Sequence, residues 1–87
     1  MTDPELIKLI LNLVASGDFG LTFHAKSRMN QRGVVEADIQ NAARTSHHEK
    51  VQDRAKGKII FEGLDLDGDD LEVVAAYEAG AVIISVF

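Results

Sequence analysis

Residues 71–87 read Leu-Glu-Val-Val-Ala-Ala-Tyr-Glu-Ala-Gly-Ala-Val-Ile-Ile-Ser-Val-Phe, and this stretch decides the fold. Leu71, Val73, Ala75 and Tyr77 alternate with Glu72, Val74, Ala76 and Glu78, which is the period of a strand. Ala79-Gly80 supplies a short turn, and the run 81–87 is almost wholly apolar. Such a run suits a central or doubly covered strand. Upstream, Asp67-Gly68-Asp69-Asp70 contains Asp-Gly, a strong tight-turn signal between alternating segments. Residues 53–57 are polar and end in glycine, so they read as a further hairpin loop. The pattern predicts four strands, at about 47–52, 57–66, 70–78 and 81–87. Their short connections favour sequential antiparallel pairing.

The first half has a helical period. Asp3 is a candidate cap, Pro4 suits the first helical position, and Glu5 favours the positive helix end. Leu6, Ile7, Ile10, Leu13 and Val14 form one apolar face, and Gly17 is a stop. Residues 18–23 read as a connector. Thr22 is placed to cap a second helix over 23–32, ended by Gly33 in the left-handed conformation. A third helix runs from Val34 to about Arg44, with Val34 or Val35, Ile39, Ala42 and Ala43 inward. Its start lacks a good capping residue. The expectation is an α+β single domain over 1–87, with N-terminal helices packed on a four-stranded antiparallel sheet.

Composition limits the chemistry. Eighty-seven residues leave no room for two cores. The chain has no cysteine, which excludes disulfides, thiolate metal sites and a cysteine nucleophile. No apolar run approaches the ~18 residues of a membrane span, and Asp3 and Glu5 sit where a signal peptide is basic. A cytoplasmic location without membrane contact is expected. The net charge of −5 is unevenly spread. All nine basic residues lie in 1–58, beside seven acids, whereas 59–87 carry seven acids and no base. Acidic hairpin tips keep a β-rich half soluble, and a local basic face in the first half stays open. An acidic total is not typical of nucleic-acid binders.

The segment from His24 to Gly33 carries the chemistry. His24, Arg28 and Arg32 stand at i, i+4 and i+8 and form one helical stripe, beside an apolar stripe of Ala25 and Met29. Two guanidiniums and an imidazole on a core border make a phosphate-binding arrangement. The alternative is structural, because arginines bordering a sheet also pair with its acids. Tyr77 is a further candidate, as a donor or a base-binding ring, against the usual packing role of a sheet tyrosine.

No metal and no cofactor is expected. His47 and His48 are adjacent and point to opposite faces of a strand; His47 with Glu49 shares a face, as solvated strand residues also do. Asp65 to Asp70 evokes a calcium loop, but its glycine, Gly68, falls at the fourth loop position where the sixth is needed, and the twelfth position holds no glutamate. There is no Gly-rich phosphate loop, no Ser/His/Asp order and no paired-carboxylate motif.

The string from His24 through Arg28-Met29 to Arg32-Gly33-Val34, followed by Asp38-Ile39, resembles the His-Ala-x-x-Arg-Met-x-x-Arg-Gly-Ile signature of domain of unknown function 4258. Gly57 and the ending from Val82 to Phe87 agree with it, and Ser85 stands where that family commonly has threonine. The layout is similar to the RelE-like and BrnT-like ribonuclease toxins of bacterial and phage systems. That resemblance implies a small metal-independent endoribonuclease with His24, Arg28 and Arg32 at the active site and Tyr77 as a distant participant. It implies RNA as substrate and a cognate antitoxin or a second copy as partner. The alternative is a non-catalytic interaction or regulatory module.

Overall fold

A computed structural model describes residues 1–87. Three helices, α1 (Asp3–Ala15), α2 (Phe23–Arg32) and α3 (Glu36–Arg44), combine with five strands. The strands are β1 (Phe19–Leu21), β2 (His48–Asp53), β3 (Lys58–Leu64), β4 (Asp70–Tyr77) and β5 (Ala81–Val86). The expected meander is present: β2, β3, β4 and β5 pair antiparallel in sequence order. The sheet is nevertheless mixed and five-stranded, in the order β1-β5-β4-β3-β2. Residues 19–21, expected to be connector, pair parallel with β5, Phe19 opposite Ala81 and Leu21 opposite Ile83. Three residues with a central glycine leave no readable period, and their partner lies some sixty positions away. β1 removes β5 from the sheet edge, which accounts for that strand's apolar run.

The helix ends follow from local chemistry. Thr2, and not Asp3, caps α1: its hydroxyl accepts from Glu5 N–H at 3.3 Å, and the Glu5 carboxylate accepts from Thr2 N–H at 2.9 Å. These bonds hold the exposed Glu5 carboxyl below its ordinary range. α2 has the expected ends, with Thr22 accepting from Ala25 N–H at 3.0 Å and Gly33 at φ +67°. α3 starts two residues later than expected, and its capping is supplied from inside. Buried Asp38 accepts from Val35 N–H at 2.9 Å and from Leu66 N–H at 3.0 Å, tying the helix start to the β3–β4 loop.

One core lies between the helices and one sheet face. Leu6, Ile10, Val14, Ile39 and Ala42 meet Ile59, Phe61, Leu71, Val73, Ala75, Ile83 and Val86. α3 sits unusually close to β3. A Cβ built on Gly63 would lie 2.0 Å from the Ala42 carbonyl oxygen, so only glycine allows that approach. The opposite face has no helix on it and carries Lys58, Ile60 and Glu62 of β3 with Glu72, Val74 and Ala76 of β4. No helix is long and apolar enough to cross a membrane.

Candidate functional site at the α2–β5 edge

α2 takes over where β1 leaves the edge of β5. Thr22 makes the transition: its N–H donates to Ile83 O at 3.1 Å and its hydroxyl to Ile84 O at 3.2 Å. The helix then runs beside the end of β5, with Ala25 and Met29 in the core. His24 and Arg28, one turn apart, are left on the flank facing residues 85–87, as their contacts with Ser85, Val86 and Phe87 record.

A bulge in β5 sets what they meet. Val74 pairs with Ser85 while the next residue, Ala75, pairs with Ile83, so Ile84 is an extra residue. Without it, Ser85 would share the inward face of Ile83. With it, Ser85 lines up with Val74 of the uncovered face and Val86 turns inward opposite Val73. Ser85 is buried, and its hydroxyl lies 3.3 Å from His24 Nε2. Arg28 Nε–H donates to Val86 O at 3.3 Å, and its guanidinium carbon stands 4.9 Å from the Phe87 ring centre.

Electrostatics separates the two readings of the stripe. The structure has one arginine–carboxylate pair, Arg54–Asp3 at 2.7 Å, and a His47–Glu62 contact at 3.2 Å. Neither Arg28 nor Arg32 takes a carboxylate, although the sheet half holds seven. Arg28 spends its Nε on a carbonyl and leaves its terminal nitrogens without a protein partner. Arg32 is exposed in the last turn of α2. Two guanidiniums, an oriented imidazole and an open surface can receive a phosphate. None of the three surface cavities is lined by His24, Arg28 or Arg32, so the site is a face and not a pocket.

Tyr77 is not brought to this constellation. It pairs with Ala81 at the start of β5, whereas Arg28 contacts Val86 at its end. Five residues of strand separate them, about 17 Å at ~3.4 Å per residue. Tyr77 instead lines a cavity with Asp3, Leu6 and Arg54. Ser85 and Phe87 are the contacts that spacing in sequence did not reveal, since both depend on the bulge. His47 and Glu49 also part company: Ser46 donates to Glu49 at 2.6 Å, while His47 turns to Glu62. The Asp65–Asp70 segment is a turn, in which Asp65 Oδ1 accepts from Asp67 N–H and Asp69 N–H, each at 2.9 Å.

No curated protein and no solved structure matches the chain. A family model does, over residues 21–87, which takes in α2, α3, the four-stranded meander and every residue of the site. The chain belongs to the DUF4258 family, a domain of unknown function.

Proposed function

We propose that the protein is a small RelE/BrnT-like, toxin-type endoribonuclease that works without a metal, on the face formed by α2 and the end of β5. The observation that carries this reading is the absence of any carboxylate on Arg28 and Arg32 in an otherwise acidic chain. Arg28 is anchored through Nε and presents its terminal nitrogens, which suits one phosphate held by a fork of donors. Arg32, one turn further along the helix, serves an adjoining phosphate. A ribose 2′-hydroxyl attacks the phosphorus beside it, and the 5′-oxygen leaves, giving a cyclic phosphate. His24 moves the proton, its ring oriented by Ser85. Arg28 stabilises the charge that builds on the phosphate oxygens. A cognate antitoxin would silence the protein by covering this face.

The contacts to Ser85 and Val86 favour a second reading, a binding module in which the stripe fastens α2 to β5 without catalysis. Incubation of purified protein with single-stranded RNA, with and without chelator, separates the two. Cleavage that survives chelator and ends in cyclic phosphate supports the enzyme. Intact RNA, with Arg28→Ala lowering only the melting temperature, supports the module.

A further inference from the structure

Further across the sheet, at the same strand ends as Phe87, lies a cluster that the ribonuclease reading does not use. His47 leads into β2, Glu62 lies in β3 and Asp70 opens β4. The backbone gathers them. His47 N–H donates to Glu62 O at 2.9 Å, and Asp70 pairs with Leu64, two residues along the strand from Glu62. His47 Nε2 stands 3.2 Å from Glu62 Oε1. One ligand atom from each of the three side chains lies within 4.8 Å of the others. Glu72 faces Glu62 directly across the β3–β4 ladder, and no lysine or arginine pairs with any of these acids. A hydrogen bond with His47 needs only one carboxylate. The second carboxylate converging on the same point, and the third beside it, are left as repelling charges.

We propose that His47, Glu62 and Asp70 form a divalent transition-metal site of zinc type, completed by water. Carboxylates alone would suit magnesium or calcium, but the imidazole shifts the preference toward zinc and its neighbours. Ligand atoms around a tetrahedral zinc with bonds of about 2.1 Å lie roughly 3.4 Å apart. Small rotations of side chains at this exposed sheet end close the present separation. The ion neutralises the facing carboxylates. Asp70 and Glu72 lie on β4, next to β5, and Glu72 exchanges backbone hydrogen bonds with Phe87, whereas Glu62 and His47 stand one and two strands further away. The cluster shares no side chain with the His24–Arg28 constellation. It rests on no reading of the RNA chemistry.

Isothermal titration of the purified full chain with zinc chloride tests this, with magnesium chloride as the comparison. One zinc per chain is expected, with no comparable heat from magnesium. His47→Ala and Asp70→Asn should each weaken zinc binding about tenfold or more, since even indirect ligand partners are worth that much. Glu49→Gln should leave it unchanged, because Glu49 belongs to Ser46 and the α1 side of the molecule. Melting curves without metal establish that the variants are folded. Absence of stoichiometric zinc binding to the wild type overturns the proposal. So does zinc affinity undiminished in Asp70→Asn, which would place the ion elsewhere.

Discussion

Replacing Arg28 by alanine removes two interactions that the structure defines. One is the hydrogen bond from Nε to Val86 O, at 3.3 Å near the long end of the useful range. A charged donor on a carbonyl is worth about 1.5 kcal/mol at the lower end. The other is the guanidinium over the Phe87 ring, about 0.5–1 kcal/mol at an exposed site. The sum is about 2 kcal/mol, or roughly 8–16 °C of melting temperature for a domain of this size. No carboxylate is stranded, so the ~3–5 kcal/mol expected for an uncompensated buried charge does not apply. Native stabilities of about 5–15 kcal/mol leave the variant folded at 25 °C. Loss of cleavage then reports chemistry, and loss of one charge-stabilising group is worth about 2.7–4 kcal/mol, or 10²–10³ in rate. Melting and RNA cleavage are measured on the same Arg28→Ala sample. A cleavage rate that falls no more than about tenfold while the protein stays folded would refute the assignment of Arg28 to the phosphate.

Three other substitutions probe the account. Gly63→Ala forces a methyl into the Ala42 carbonyl and should cost about 3 kcal/mol or prevent folding, read by chemical denaturation. Asp38→Ala unties two backbone N–H groups and should cost about 2–3 kcal/mol, with faster hydrogen exchange at Val35 and Leu66. Tyr77→Phe should leave cleavage unchanged, because its hydroxyl lies at the far end of β5; a loss of rate in a normally melting variant would return Tyr77 to the site.

Much of the fold is local and therefore visible in sequence. Thr22 and Gly33 bracket α2 because a hydroxyl cap and a left-handed glycine are single-residue signals. The meander follows from alternating residues and from turns at Gly68 and Gly80, both at positive φ. β1 is not local: it gains its identity only from β5. The start of α3 was hidden because its cap comes from Asp38 reaching backward. The His24–Arg28–Arg32 stripe was legible from helical spacing. Its surroundings were not, because the Ile84 bulge reverses which residues of β5 face outward. Tyr77 was singled out by type alone, and the sheet carries it away from the stripe. The His47–Glu62–Asp70 cluster is assembled across three strands, so the neighbouring Glu49 was the only partner that sequence offered.

The central claim is that α2 and the end of β5 receive a phosphodiester. A short 2′-deoxy oligonucleotide, which lacks the attacking hydroxyl, binds without being cut and tests this most directly. It is titrated into isotopically labelled protein at low salt while backbone amide shifts are followed. The account predicts shifts at residues 24–32 and 85–87 that weaken as salt is raised. Unshifted amides there, or shifts confined to the groove lined by Ile7, Leu11 and Ala43, would contradict it.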